Sequence, residues 1–511
     1  MMKSTLLSVC LAASTLPLLG QELVSVVQTG SIPQSLAAPA LGQLGFNLTA
    51  EYGVTVYKVR YTMADLSGEI DTVSGLLSIP EGNDADTKQF PRLVSQHGTT
   101  VNKFAVPSAF SVNAIISGEN PTDVSPLYAT QGYVTVAPDY LNMGEDEDGF
   151  HPYVHAETEA LAALRMLEAL ATDPVYAARV NEQLFVTGYS QGGHASMALH
   201  ELLVEEADLA AGNEVTAAAH MSGPYSISGV MRAEVILDST DFLYLGFLPY
   251  TILSYQAAYP ELAGGLDTIF RPAYVGFVEA FRDGYETGAV GLDSLTRDLL
   301  FALGAQSLIE TGDTLLYPFL LLQPEFEAML RDDSLSTWRT VLRDNDTYDF
   351  DNPTPTRLYY CEGDDQVNFR NSVVAADSLA ARGATDTEAV RLDTDAEPLD
   401  HGGCAEPAIV ASLAFFAGFQ RVDEPASATR ESLPGAVDWT LAGGALRVDV
   451  EGGQAASYGL EVFDGLGRRL LARSGYRSGE VVDVSALPIG FAAARLSDDA
   501  GRSATRSFVL R

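Results

Sequence analysis

Lysine is almost missing from this chain. Only Lys3, Lys58, Lys88 and Lys103 occur in 511 residues, so arginine supplies most of the positive charge. Basic residues together number 30 against 68 acidic ones, a formal charge of −38. A surface this negative repels phosphate backbones and anionic membranes, which excludes nucleic acid and such membranes as expected partners. The acids are scattered rather than blocked, as on a solvated surface. Long apolar runs are also missing after the first twenty residues. No later stretch reaches about 18 uninterrupted apolar residues, so no integral membrane segment is expected in the mature chain. Cysteine is scarce too, at Cys10, Cys361 and Cys404.

What remains is the profile of a folded chain, 47% hydrophobic and 19% charged, with length for roughly two to four domains. Residues 1–20 read as a signal peptide: Lys3 gives the charged start, and Leu6 to Leu19 is an apolar run too short to span a bilayer. Val9 stands where a lipoprotein signal needs a small residue before Cys10. Removing the signal leaves Cys361 and Cys404, an even count that in an exported chain permits a disulfide, against two buried thiols.

Residues 21–53 read as an N-terminal extension. From residue 54 apolar strands and helical stretches alternate: "VTVYKVRYTM", its partner "TVSGLLSIP", "RLVSQHG", "YVTVAPDY", a helix over 157–170, "QLFVTG", a helix after Gly193, and "VTAAAHMSG". That rhythm argues for an α/β fold with a mostly parallel central sheet. It stops near Ile227, and over about 228–352 the chain is helical and rich in bulky apolar residues. Such an insert reads as a helical cap over a strand-end site, against a helical layer on the sheet edge. The alternation resumes with "TRLYYCEG", a helix over 372–382, "EAVRLDT" and a closing helix over 407–419. A linker at 421–433 precedes short alternating strands with Gly turns over 434–511, the pattern of a small all-β sandwich.

Ser190 stands out in "LFVTGYSQGGHAS". A strand runs into a helix there, and Gly-x-Ser-x-Gly has meaning only on such a turn, where flanking side chains would collide. A serine nucleophile needs a base and an orienting acid, and in this fold class the order is Ser, Asp or Glu, His. His401, in "LDHGGCAEPAI", is the one histidine after residue 220. The spacing puts it in a loop between the last strand and the last helix. The acid is expected after "TRLYYCEG", where Asp364 leads, Asp365 is its rival and Glu362 a distant third. The oxyanion donors expected are the backbone amides of Gln191 and of Thr99 in "VSQHGTTV", with Gly98 as second choice and His97 shaping the loop. His151, His155 and Glu159 have a spacing that could bind metal on a helix face, but a structural role is expected, with metal none and cofactors none. His194 and His200 read as packing residues, and Asp139 as a brace.

Together "QHGTT", "VAPDYLNMG", "HPYVHAETEALAAL", "GYSQGGHAS", "MSGPYSISG", "YYCEGDDQV" and "DHGGC" resemble secreted bacterial α/β-hydrolases of the secretory lipase/esterase branch over residues 50–420, apart from the insert. The resemblance implies an α/β-hydrolase sheet with Ser190, Asp364 and His401 as the triad. Relatives often read "DYLGxG" where this chain has Asn142, and "ADEQV" where it has Gly363 to Val367, which favours Asp364. The last 75 or so residues resemble a type IX secretion C-terminal sorting domain through "VFDGLGRRLL", "VDVSALPIG" and "RSFVLR", with Ala492 where relatives usually have Tyr. Cys361 lies three residues before Asp364 and Cys404 three after His401, so a disulfide between them would tie the acid loop to the base loop.

The expectation is a secreted serine hydrolase of carboxylic esters, acting through an acyl-enzyme on a small-molecule or lipid ester, with the type IX secretion machinery as its transport partner. Two alternatives are a serine peptidase of the prolyl-oligopeptidase type and a non-catalytic surface binding protein on a hydrolase scaffold. Residues 21–55 are too short for the N-terminal propeller of such peptidases.

Overall fold

The computed structural model describes residues 22–423, except 44, 83, 118–122, 147–148 and 286–290. Beyond these it describes 433 and 437–510, except 451–456, 465–468, 488–489 and 499–501. The expected signal peptide and most of the expected linker lie outside the described residues. The chain divides into two compact units, Met1–Asp423 and Glu424–Arg511.

Among its described residues the first unit is built on nine strands: β1 Leu23–Ile32, β2 Gly53–Ala64, β3 Ile70–Glu81, β4 Phe90–Gln96, β5 Val134–Pro138, β6 Val180–Tyr189, β7 Val215–Met221, β8 Thr356–Tyr360 and β9 Thr387–Arg391. They lie in the order β1-β2-β3-β5-β4-β6-β7-β8-β9. From β5 to β9 every pairing is parallel, while β1, β2 and β3 add an antiparallel edge. β1 belongs to the stretch expected to be an extension; it is the edge strand of this sheet, bonded to β2 from Leu23 to Ile32.

The parallel strands are buried on both faces, and their alternation divides the core. Val94, Leu184 and Val186 pack with helices Ala156–Ala171 and Gln191–Glu205 on one face. Leu93, Phe185 and Ala217 pack with Tyr128, Tyr133 and helix His401–Phe416 on the other. That last helix begins six residues before its expected start. Asp400 caps it by accepting from the Gly403 amide at 2.7 Å, and Pro407 sits inside the helix rather than opening it. His401 is therefore the first residue of the helix, not a loop residue.

Between β7 and β8 the described residues from Ile227 to Asp344 are helices joined by turns and loops, with Phe247–Ala258, Pro272–Tyr285 and Leu292–Thr311 as the longest helices among them. It has its own aromatic core, including Tyr250, Tyr255, Phe270, Phe281 and Tyr285, which also takes in Tyr153 and Val154. Among its described residues the second unit has two antiparallel sheets, of three and four strands. Leu446, Val448 and Val482 of one and Leu460, Val462 and Ala494 of the other share one core, which is the layering of a sandwich.

Candidate active site

Thr99, Ser190 and Asp364 closely follow the carboxyl ends of β4, β6 and β8, the general position of sites in open α/β sheets, and His401 opens the helix after β9. β6 ends at Tyr189, and Ser190 turns the chain with φ 61° and ψ −123° before the helix starts at Gln191. A non-glycine residue rarely adopts positive φ, so this turn stores strain that its surroundings must hold. The glycines make that possible. A Cβ on Gly188 would lie 2.1 Å from the Gly192 carbonyl oxygen, and one on Gly192 would lie 1.9 Å from the Gln96 carbonyl oxygen. β4, β6 and the helix thus converge too closely for any side chain. The Ser190 amide donates to Met221 O at 2.9 Å, fixing the turn to β7 as well.

The loop after β4 lies against this turn: a Cβ on Gly98 would meet Ser190 Cβ at 3.7 Å. His97 stacks on Tyr140 with ring centroids 4.2 Å apart, and Tyr140 donates to the His97 carbonyl at 3.0 Å. Asp139, buried, accepts from Ser74 Oγ at 2.6 Å and from the Ser108 amide at 2.8 Å, and burial raises its pKa. Asn142 has φ 62°, the left-handed conformation that explains a glycine in the related motif and that asparagine tolerates best of the non-glycines. Thr99 Oγ1 and Tyr153 Oη are 3.1 Å apart.

His401 and Asp364 meet directly. Nδ1 of His401 lies 2.8 Å from Oδ2 of Asp364, both side chains nearly enclosed. The other Asp364 oxygen accepts from the amides of Gln366 and Val367, at 3.0 and 2.8 Å. Asp365 plays a different part, accepting from the His401 backbone amide at 3.1 Å and from Tyr244 Oη of the helical stretch at 3.0 Å. Glu362 points away, to Arg391 at 2.8 Å. A disulfide joins Cys361 to Cys404, with Cα atoms 6.1 Å apart. Ser190 and His401 line one cleft without a direct hydrogen bond between them.

One bracing residue gives no sequence signal. Asp393 accepts from the amides of Glu362, Gly363 and Leu399 and from Arg391 Nε, tying the acid loop to the base loop. Its enclosure would raise its pKa, but the Arg391 guanidinium and the three amides outweigh that and bring it to about 2. In a chain this rich in scattered aspartates, nothing in the sequence singles it out.

Ser190 stands at the junction of two spaces. One is an apolar cavity of about 110 Å³, lined by Tyr153, Ile227, Val235, Leu248, Ile252 and Trp338 among others. Arg232 also reaches its wall, but its guanidinium is engaged by the carbonyls of Ser228 and Leu330. The other is a wider, more polar cleft of about 1140 Å³ that holds His97, Thr99, Tyr244, Thr296, Arg297 and His401.

The residues weighed as metal ligands have other partners. His151 Nδ1 faces Leu141 O at 3.0 Å, His155 Nδ1 faces Thr158 Oγ1 at 3.0 Å, and Glu159 Oε2 pairs with His194 Nδ1 at 2.8 Å. Among the described residues no group of His, Cys, Asp or Glu is arranged to hold a metal, and no helix is long and apolar enough to cross a membrane. His194 is thus more than a packing residue, because its ring is hydrogen-bonded to the fully buried carboxyl group of Glu159. His200 does pack in the core, 3.2 Å from His220.

The arrangement of sheet, strand-end serine and His–Asp pair is the α/β-hydrolase fold. Solved structures share it over most of this chain. A protein of Legionella pneumophila classed as a hydrolase is 25% identical, with a TM-score of 0.64 over 80% of this chain and 100% of its own. The rice cell wall degrading esterase LipA from Xanthomonas oryzae, in a mutant form, is 22% identical, with a TM-score of 0.66 over 78% and 99%. Candida antarctica lipase A in its closed state is 14% identical, with a TM-score of 0.50 over 78% and 81%. No protein-family model and no curated protein sequence matches the chain.

Proposed function

We propose that this protein is a secreted serine hydrolase of carboxylic esters. Ser190 attacks the acyl carbonyl, His401 takes the serine proton and returns it to the leaving alcohol, and Asp364 orients and stabilises the His401 ring. The backbone amides of Gln191 and Thr99 hold the oxyanion, and water then hydrolyses the acyl-enzyme. The observation that carries this reading is the 2.8 Å His401–Asp364 contact in the same cleft as a serine held at φ 61°. The fold shared with an esterase and a lipase accords with it.

The two spaces beside Ser190 favour a division of the substrate. The apolar cavity accepts the acyl group, and the polar cleft accepts the alcohol. The helical stretch 227–344, which supplies most of the cavity wall, acts as the cap. Among the described residues lining the cavity only Arg232 is charged, and its guanidinium is already engaged. A hydrocarbon acyl chain suits that space better than a peptide does, so ester cleavage is favoured over peptide cleavage.

The test is a panel of p-nitrophenyl esters of increasing chain length beside X-Pro peptide anilides. Esters are cleaved and Ser190→Ala abolishes turnover; cleavage of the anilides alone would overturn the reading. The leader at 1–20, the disulfide and the sorting-domain resemblance of 434–511 support export by type IX secretion. A chain lacking 434–511 is then retained by a host that otherwise exports the full chain to its surface or medium.

A further inference from the structure

Behind the Ser190 turn lies a buried chain of polar side chains that no step above uses. Its geometry constrains where its protons lie. His151 Nδ1 faces the Leu141 carbonyl at 3.0 Å and must donate to it, so its Nε2 accepts from Gln191 Nε2 at 2.9 Å. Burial lowers the His151 pKa to about 3, in keeping with a neutral ring. Gln191 Nε2 spends its second proton on Glu159 Oε1 at 2.8 Å, and the same oxygen accepts from the Val154 amide at 3.1 Å. Glu159 Oε2 faces His194 Nδ1 at 2.8 Å, while His194 Nε2 faces the Asn345 carbonyl at 2.9 Å. Both nitrogens of His194 therefore face oxygen atoms, an arrangement that an imidazolium beside a carboxylate satisfies at both ends. Glu159, Gln191 and His194 are all essentially without solvent exposure.

We propose that Glu159 and His194 are positioning residues for the oxyanion hole, holding Gln191 so that its backbone amide keeps its aim beside Ser190. This rests on the reading of Ser190 as nucleophile and of the Gln191 amide as donor. The logic is one of charge as well as geometry. A lone buried carboxylate hydrogen-bonded to the Gln191 side chain would oppose the developing oxyanion, and the His194 cation cancels it. The pair also ties the turn to Val154 in the cavity wall and, through Asn345, to the end of the helical stretch. Asn345 in turn accepts from the Ala156 amide and donates to Tyr259 Oη.

The other titratable groups facing His194 are His155, Asp346 and Glu201. Burial works against the His194 charge, but the Glu159 carboxylate, the Asn345 carbonyl and Asp346 outweigh it and raise its pKa. The rate that depends on the cation is thus complete below that raised value and is lost as pH rises through it.

The experiment compares Glu159→Gln and Gln191→Leu with the wild type in p-nitrophenyl ester hydrolysis, counting active sites by fluorophosphonate labelling so that misfolded protein does not enter the rate. In both, kcat per labelled site is expected to fall about 10- to 100-fold, with KM changed less than about threefold; Glu159→Asp is expected to recover most of the loss. Rates within about twofold of wild type in both variants would overturn the proposal. A second readout needs no variant turnover: ¹⁵N-histidine spectra of the folded wild-type chain are expected to show one solvent-protected histidine protonated on both nitrogens at neutral pH, and a neutral His194 overturns it. Absence of wild-type labelling at Ser190 would instead sink the nucleophile assignment, so the two failures are distinguishable.

Discussion

Two adjacent carboxylates, Asp364 and Asp365, differ by one position and divide the work on His401: one meets the ring, the other the backbone amide. Sequence order brings both to the same loop and the motif resemblance favours Asp364, while the separate contact that Asp365 makes is visible only in the fold. The split predicts unequal variants. Asp364→Asn is expected to lower kcat by about 10³- to 10⁴-fold, because the ring loses its orienting charge. Asp365→Asn keeps that contact and loses the charge that accepts from Tyr244, so a fall of less than about tenfold is expected from steady-state kinetics on both. Equal losses would contradict the division. The proposed triad of Ser190, Asp364 and His401 is legible because that chemistry demands those residue types in a fixed order on recognisable elements. Asp393 is not, because its contacts join loops distant in sequence and an acid among many acids carries no local sign of them. Glu159 is marked only by its spacing from His151 and His155, which shows a helix face but not its partners Gln191 and His194.

Among the elements, the acid loop after β8 and the base helix beginning at His401 are joined by the Cys361–Cys404 disulfide, 43 residues apart in sequence. A cross-link of that span stabilises by roughly 2–4 kcal/mol, largely by restricting the unfolded chain. Here it also spans the two segments that must bring Asp364 to His401. Cys404→Ser is therefore expected to lower the midpoint of denaturant unfolding and to cut kcat in protein that is still fully folded, read by activity and circular dichroism together. Unchanged kcat in the folded variant would reduce the bridge to a stabilising link. Most elements follow from hydrophobic periodicity, including the partners β2 and β3. The closing helix departs from its expected boundary because Pro407 is a usual helix opener, whereas here the Asp400 cap starts the helix earlier and the proline is tolerated within it. β1 is hidden in the sequence because its half-exposed edge position shows no clean alternation.

At the scale of the whole molecule, the chain forms two units, and every residue assigned to the chemistry lies in the first. A chain ending near Asp423 is expected to hydrolyse p-nitrophenyl esters with a kcat within about twofold of the full chain. A large loss would mean that the second unit is needed for activity. The fold class is readable from the rhythm of strands and helices and from its interruption, which the structure locates between β7 and β8. The shape of the space enclosed there is not readable, since bulky side chains in a helical run serve a core and a cavity wall equally well.

That interruption has an optical consequence. The chain holds two tryptophans, Trp338 and Trp439. Trp439 lies on a strand of the second unit, whereas Trp338 stacks edge-on against Phe326, with ring centroids 5.3 Å apart, in the wall of the cavity beside Ser190. A chain ending near Asp423 therefore carries a single tryptophan, set in the lining of the space assigned to the acyl group. Its emission reports directly on what fills that space, and a fatty acid or an inert ester analogue can be followed into it without a label.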